Sequence, residues 1–242
     1  MEPVKIGLLG LGTVGGGSVT VLTRNAHEIA RRAGRGIRIT HAAARQYDPE
    51  RIEGIEQIDR ISDDAFAVVD DPEVDIVIEL IGGYSPAREL VLKAIENGKH
   101  VVTANKALIA LHGNAIFAAA QAKGVMVAFE AAVAGGIPII KAVREGLAAN
   151  RIEWIAGIIN GTGNFILSEM RDKGREFADV LAEAQRLGYA EADPTFDVEG
   201  TDAAHKLTIL GSLAFGIPLQ FDKTFTEGIS RIEPQDVAFA AE

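Results

Sequence analysis

The stretch Val4–Gly15, VKIGLLGLGTVG, decides the fold of this 242-residue chain. It opens with a short apolar run, which is typical of a buried strand in a parallel sheet. It then matches the pattern G-x-G-x-x-G, just before a helical pattern that begins at Thr13. Gly10 would permit a tight turn, Gly12 would leave room for a pyrophosphate, and Gly15 would let the helix pack on the strand. We therefore predict a dinucleotide-binding loop, and the alternative is a glycine-rich turn without a ligand.

Strand and helix patterns alternate after this loop. Strands are predicted at 37–44, 74–80, 100–103 and 125–129, and helices at 13–32, 86–97 and 106–123, with a break at Gly113. Residues 45–73 are polar and irregular, with a helical pattern near Ala65. Such alternation indicates βαβ units in a Rossmann-type, doubly wound parallel sheet of the α/β class.

The pattern changes after residue 130. A strand is predicted at 151–159, and helices are predicted at 137–146, 161–174, 178–187 and 201–215. This mixture is typical of an α+β domain. We therefore expect a dinucleotide-binding domain at 1–130 and a second domain at 131–242.

Composition excludes several classes of function. The chain has 24 basic and 34 acidic residues, a net charge of −10, which argues against a nucleic-acid partner. It has no cysteine, so a disulfide framework, a thiolate nucleophile and a cysteine-ligated zinc are excluded. No signal-peptide pattern and no apolar run of roughly 18 residues is present, so we expect a cytoplasmic protein without a membrane partner.

The end of the second predicted strand bears on the choice of nucleotide. NAD sites usually carry Asp or Glu there to bind the ribose 2′-hydroxyl, whereas NADP sites use a nearby Arg. Here Arg45 follows three alanines, and Asp48 lies slightly too far along the chain. The pattern favours NADP(H) over NAD(H), and the alternative is that Arg45 is a solvated loop residue.

Two lysines stand in polar surroundings that favour chemistry. Lys106 follows the fourth predicted strand, at the sheet edge where open α/β folds bind ligands. Because a cation is unfavourable at a helix start, its presence there favours a functional role. Lys206 lies four residues after Asp202 on a predicted helix, so both side chains share a face. In a cleft, the carboxylate would orient a substrate and the lysine would handle a proton. The alternatives are an exposed lysine at a helix start and an ordinary surface ion pair.

Six ordered segments carry a resemblance to a known family. They are Gly7–Gly15, Thr103–Lys106, Glu130–Pro138, Asn160–Leu167, Leu187–Pro194 and Asp197–Lys206. Together they resemble homoserine dehydrogenase from residue 5 to about residue 230. The resemblance implies an NAD(P)-dependent oxidoreductase that interconverts L-aspartate 4-semialdehyde and L-homoserine, a small-molecule substrate pair on the route to threonine, isoleucine and methionine.

The resemblance also implies roles for single residues. Lys206 would protonate the aldehyde oxygen, and Lys106 would lie close to nicotinamide and substrate. The implied substrate-binding acids are Glu191, Asp197 and Asp202. In addition to Gly10, Gly12, Gly15 and Arg45 named above, the implied cofactor contacts are Thr13, Val14, Thr103, Lys106 and Gly188. A monovalent cation, Na⁺ or K⁺, would bind at Glu130, Val133, Gly135 and Ile137, three of them through backbone carbonyls.

The same family implies a homodimer that pairs through sheets of the second, substrate-binding domain. Its members continue well past residue 242 to complete the nucleotide domain, and many add a regulatory ACT domain. We therefore expect a C-terminally truncated homoserine dehydrogenase without an ACT domain. Two other hypotheses stay open from the residues: a nucleotide-binding but catalytically incomplete fragment, and another NADP-dependent amino-acid dehydrogenase.

Overall fold

A parallel sheet organises the first of two units into which the chain divides, Met1–Lys141, and the second unit begins at Ala142. The computed structural model describes residues 1–240. The sheet has six strands: β1 Val4–Leu9, β2 Ile37–Ala43, β3 Arg60–Ser62, β4 Ile76–Glu79, β5 His100–Thr103 and β6 Val127–Ala128. All neighbouring strands pair in parallel, in the order β3-β2-β1-β4-β5-β6. This order is that of a Rossmann sheet, so the predicted fold class is confirmed.

Helices cover both faces of this sheet because the strands are apolar on both. Successive side chains of a strand point to opposite faces, so the fully buried Leu8 and Leu9 belong to different cores. The helices of this unit are α1 Thr13–Arg24, α2 Ala26–Ala33, α3 Ala65–Asp70, α4 Ala87–Glu96, α5 Lys106–Lys123 and α6 Ile139–Lys141. Leu8 packs with Val19 of α1, whereas Leu9 packs with Leu90 of α4 and Leu108 of α5.

Three local predictions for the first unit were wrong. The break at Gly113 does not occur, because Gly113 is buried inside α5, where packing outweighs the roughly 1 kcal/mol that glycine costs a helix. The helix predicted at 13–32 is two helices that meet at Asn25. The segment 45–73 contains β3, which the polar sequence around it concealed.

The described part of the second unit is helical. It contains α7 Gly161–Lys173, α8 Phe177–Leu187, α9 Thr195–Val198, α10 Thr201–Phe215 and α11 Pro234–Phe239, preceded by a π-helical turn at Ala142–Gly146. The strand predicted at 151–159 was wrong in this structure: the segment belongs to no sheet among residues 1–240. A strand needs a neighbour to satisfy its backbone, and here Trp154 and Ile158 are 75% and 81% exposed.

Two further observations complete the fold. Within residues 1–240, no helix is long and apolar enough to cross a membrane. The core of the second unit is small and joins α7, α8 and α9 through Ile166, Met170, Val180 and Val198.

The predicted domain boundary at residue 130 stays a prediction, since the two units are defined by packing and not by function.

Candidate functional site

The glycine loop has the geometry that a bound phosphate requires. Gly10 adopts φ 97°, and a Cβ there would lie 2.8 Å from the carbonyl oxygen of Leu80. A Cβ at Gly15 would lie only 2.0 Å from the carbonyl oxygen of Gly10, so the helix approaches the loop too closely for any side chain. A Cβ at Gly12 would meet nothing within 4 Å, which leaves open space over the N-terminus of α1. Helix N-termini attract anions through their unbonded N–H groups and the helix dipole.

A cleft of about 900 Å³ opens beside this loop. Its walls come from the loop, the end of β2, the start of α3 and the segment after β4, all at the carboxyl edge of the sheet. This is the edge at which doubly wound folds bind nucleotides, and the volume lies in the usual range for ligand sites. The residues present therefore fit a dinucleotide. Thr13 and Val14 form the first turn of α1 beside the cleft.

Arg45 lines this cleft, together with Asp63 and Asp64 on the wall formed by α3. The carboxylate of Asp64 is already engaged, because it accepts the N–H groups of Phe66 at 2.9 Å and Ala67 at 3.1 Å and thereby caps α3. The cleft thus offers the Arg45 guanidinium to the ribose end of a nucleotide, beside two exposed acids, Asp63 and Asp64, of which Asp64 is engaged as a helix cap.

Thr103 and Lys106 lie at the end of β5 and the start of α5 in the same unit. Thr103 is fully buried, and its hydroxyl donates to the carboxylate of Glu79 at 2.6 Å. Asn105 caps α5 by accepting the N–H of Leu108 at 3.0 Å, so Lys106 begins the helix. Sequence reasoning missed Glu79. Nothing in an apolar strand pattern shows that the last residue of one strand will form a hydrogen bond with the last residue of its neighbour.

In the second unit, Lys206 and Asp202 meet as the helical spacing predicts. The Nζ of Lys206 donates to Asp202 Oδ2 at 2.7 Å and to the carbonyl oxygen of Ile159, also at 2.7 Å. The Asp202 and Lys206 side chains are only 5% and 16% exposed, so this is not an ordinary surface ion pair. A lysine held by a carboxylate and a carbonyl presents its ammonium group in a defined direction.

Asn160 joins this pair to Asp197. Its amide nitrogen donates to Asp197 Oδ1 at 2.8 Å and to Asp202 Oδ2 at 2.9 Å, and its amide oxygen caps α7 through the N–H of Gly163. The hydroxyl of Thr162 donates to the carbonyl oxygen of Tyr189 at 2.7 Å and lies 3.2 Å from Asp197 Oδ2. The structure therefore brings together Asp197, Asp202 and Lys206, as the resemblance implied. Asn160 was missed as a site residue, although its position before a glycine-rich helix start indicated a cap.

Glu191 and Gly188 lie in the connection between α8 and α9. Gly188 ends α8 at φ 77°, a left-handed conformation that favours glycine. Glu191 is exposed, and its carbonyl oxygen accepts the side-chain amide of Gln185 at 3.1 Å. Their roles toward substrate and cofactor stay predictions.

The segment Glu130–Ile137 is the predicted cation site. The carboxylate of Glu130 accepts the N–H groups of Ile140 at 2.8 Å and Lys141 at 3.0 Å, so it serves as a cap. Among residues 1–240, no group of three or more His, Cys, Asp or Glu side chains could hold a metal ion. A cation at Glu130, Val133, Gly135 and Ile137 would therefore depend mainly on backbone carbonyls, which three of these residues would supply, and the site stays a prediction.

Comparison with known proteins covers both units. The family model described as "Homoserine dehydrogenase, NAD binding domain" matches residues 10–130, and the one described as "Homoserine dehydrogenase" matches residues 138–242. A homoserine dehydrogenase from Pseudomonas aeruginosa is 72% identical over 240 residues, which are 99% of this chain and 55% of that protein. The chain thus spans about half the length of the curated relatives it matches.

Solved structures agree with this relationship. A homoserine dehydrogenase from Thiobacillus denitrificans gives a TM-score of 0.95 at 70% identity, covering 100% of this chain and 56% of that one. A hyperthermophilic archaeal homoserine dehydrogenase in complex with NADPH gives a TM-score of 0.80 at 25% identity, covering 96% of this chain and 76% of that one.

Proposed function

Since the chain belongs to the homoserine dehydrogenase family, we propose that it interconverts L-aspartate 4-semialdehyde and L-homoserine with a nicotinamide cofactor. The observation that carries the proposal is the Lys206 ammonium group, which is largely buried and is held between the Asp202 carboxylate and the Ile159 carbonyl. In this role the protein serves the synthesis of threonine, isoleucine and methionine, and we place it in the cytoplasm.

Lys206 is the proposed proton donor. When bound, the reduced nicotinamide supplies hydride to the aldehyde carbon. As negative charge develops on the aldehyde oxygen, Lys206 gives it a proton, and in the reverse direction it takes the proton from the homoserine hydroxyl. Such general acid–base help is typically worth about 10²–10⁴-fold in rate. Lys106 is proposed as a second cation that stabilises the same oxygen electrostatically.

The acids of the second unit are proposed to hold the substrate. Asp197 and Asp202 are tied together through Asn160, so they present carboxylates in a fixed arrangement. Glu191 adds a third carboxylate on an exposed loop. The amino group that aldehyde and alcohol share is the natural partner of these acids, because charge-assisted hydrogen bonds are the strong ones.

The proposed cofactor is NADP(H) in preference to NAD(H). Arg45 lines the cleft at the end of β2, where a guanidinium would pair with a 2′-phosphate, and a relative is known in complex with NADPH. Arg45→Ala should weaken NADPH binding by about 10–100-fold, the worth of hydrogen bonds to a charged group, and leave NADH binding nearly unchanged. Arg51→Ala, which removes an exposed guanidinium bonded to Asp48, is the matched control. Equal losses for both nucleotides would contradict this preference.

We also propose Na⁺ or K⁺ at Glu130, Val133, Gly135 and Ile137, three of them binding through backbone carbonyls. Replacing both ions by tetramethylammonium at constant ionic strength should lower the thermal midpoint and the activity.

A homodimer is proposed through the second unit, and the exposed Trp154 and Ile158 support an interface there. Sedimentation equilibrium tests the dimer, and a single monomeric species at high concentration would contradict it.

The decisive experiment follows the absorbance of reduced nicotinamide. L-homoserine with NADP⁺ should produce it, and L-aspartate 4-semialdehyde with NADPH should consume it. Robust oxidation of a different amino acid in place of L-homoserine would indicate another amino-acid dehydrogenase. NADPH binding without turnover of either substrate would instead indicate a nucleotide-binding but catalytically incomplete chain.

A further inference from the structure

Glu79 is a buried acid for which the proposed reaction provides no role. It is the last residue of β4, it is fully buried, and in the sheet register it lies between Leu9 of β1 and Thr103 of β5. A buried carboxylate is costly unless hydrogen bonds satisfy it. Buried ionic groups are often no more stabilising than apolar residues of similar size. Stability alone therefore does not explain an acid at this position.

The Glu79 carboxylate binds two separate loops. Its Oε1 accepts the N–H groups of Ile81 at 2.9 Å and Gly82 at 3.1 Å, and its Oε2 accepts the Thr103 hydroxyl at 2.6 Å. Ile81 lines the nucleotide cleft. Glu79 thus connects a wall of that cleft to the end of β5.

The same network continues to the start of α5. The Thr103 hydroxyl accepts the N–H of Asn105 at 3.0 Å, and the Asn105 amide donates to the carbonyl oxygen of Gly83 at 2.6 Å. The Asn105 oxygen then caps α5, whose first residue is Lys106. The hydrogen bonds form a closed ring through Glu79, Thr103, Asn105 and the segment 81–83. The backbone of Lys106 is fixed by this ring.

We propose that Glu79 is a positioning residue for the reaction: it fixes the segment 81–83 and the start of α5, and through them the cleft wall and Lys106. This inference rests on the proposed function. Catalytic groups must be held close to their productive geometry, and a misplacement of about 1 Å can cost about 10²-fold in rate.

Glu79→Gln is the informative variant. The glutamine oxygen can still accept the N–H groups of Ile81 and Gly82, so the chain should fold with a thermal midpoint near that of the wild type. Its amide group would donate to Thr103, whose own hydroxyl hydrogen then loses its acceptor, and the contact to the start of α5 changes. We expect kcat for L-homoserine oxidation to fall by about tenfold or more, with a smaller change in KM for L-homoserine. Glu79→Ala, which leaves all three donors unpaired, should lose both stability and activity.

Lys99→Met provides the matched control. Lys99 is 4% exposed, and its ammonium donates to the carbonyls of Asp71 and Val74 before β5, at the opposite edge of the same sheet. Its loss should lower the thermal midpoint while kcat stays within about twofold of wild type. A kcat for Glu79→Gln within about twofold of wild type, or an equal loss in Lys99→Met, would overturn the proposal.

A second readout separates this inference from the proposed function. NADPH fluorescence measures nucleotide affinity without turnover. Because Ile81 lines the cleft, Glu79→Gln should raise the dissociation constant by about fivefold, and Lys99→Met should leave it unchanged. If the wild type fails to oxidise L-homoserine, the proposed function fails. A selective loss of NADPH affinity in Glu79→Gln then still supports the positioning role, and unchanged affinity refutes it.

Discussion

The second and third glycines of the phosphate loop, Gly12 and Gly15, should respond in opposite ways to substitution by alanine. Gly15→Ala places a methyl group 2.0 Å from the Gly10 carbonyl oxygen, about 1 Å inside the 3.0 Å limit of real Cβ contacts. The methyl group is attached rigidly to the helix backbone and the oxygen belongs to the loop backbone, so a side-chain rotation cannot relieve the clash. Overpacking of this kind costs about 3 kcal/mol at the upper end of its range. The thermal midpoint should then fall by about 6–12 °C for a chain of this size.

Gly12→Ala should instead spare the fold and impair binding. Gly12 has φ −73° and ψ −160°, which alanine adopts freely, and the new methyl meets no protein atom within 4 Å. Reduced unfolded-state entropy favours alanine by about 0.4–1 kcal/mol, while alanine is the poorer N-cap by a similar amount. The methyl occupies the space over the N-terminus of α1. Loss of hydrogen bonds to a charged phosphate costs about 1.5–3 kcal/mol, so NADPH affinity should fall by about 10–150-fold.

Thermal unfolding and NADPH fluorescence titration on the same preparations check the predicted loss of stability in Gly15→Ala and the predicted loss of NADPH affinity in Gly12→Ala. Gly17→Ala is the control, since Gly17 lies exposed in α1 and its Cβ would also meet nothing within 4 Å. It should stabilise the helix by up to about 1 kcal/mol without changing NADPH affinity. If Gly12→Ala binds NADPH as the wild type does, the loop does not hold the pyrophosphate. If Gly15→Ala unfolds at the wild-type temperature, the close approach of helix and loop is wrong.

Three further predictions concern single side chains. Lys206→Arg keeps the positive charge but not an ammonium that releases a proton, so kcat should fall by about 10²-fold or more while NADPH affinity holds; near-normal turnover would refute the proton role. Asn160→Ala removes a helix cap worth about 1 kcal/mol and breaks the hydrogen bonds that link Asp197 to Asp202. Steady-state kinetics should therefore show a raised KM for L-homoserine, and an unchanged KM would contradict this. Burial, assisted by Arg60, lowers the pKa of the His41 imidazole, so its contribution to stability is full above the unfolded-state pKa of about 6.5 and is lost as the pH falls toward the folded-state value. His41→Asn should therefore flatten the fall in thermal midpoint between neutral and mildly acidic pH, and an unaltered slope would assign that fall to other groups.

The sequence was most informative where chemistry and local structure depend on the same residues. The strand, glycine loop and helix around Gly12 were predictable because each glycine answers a local steric demand. The approach of Asp202 to Lys206 was predictable because four residues on a helix bring two side chains together. The burial of that pair was not, since it depends on the neighbouring segment that contributes the Ile159 carbonyl.

Other features depend on contacts between distant residues. Glu79 and Thr103 are neighbours only because β4 and β5 pair in a particular register. Asn160 joins Asp197 and Asp202 across a separation of about forty residues, which no periodicity reveals. Gly113 continues a helix because its surroundings are packed, and local propensity alone favours a break. These are cases in which tertiary structure overrides local preference.

The segment 151–159, which belongs to no sheet among residues 1–240, has a consequence for the proposed reaction. Its last residue, Ile159, supplies the carbonyl that orients the Lys206 ammonium. An ammonium has three donors, and two of those on Lys206 are committed to Asp202 and Ile159. Any chain that pairs its backbone with this segment would immobilise that carbonyl and so aim the remaining proton. If that chain were a second copy of this protein, assembly and proton transfer would be coupled, and the turnover number per active site would rise with protein concentration until pairing was complete.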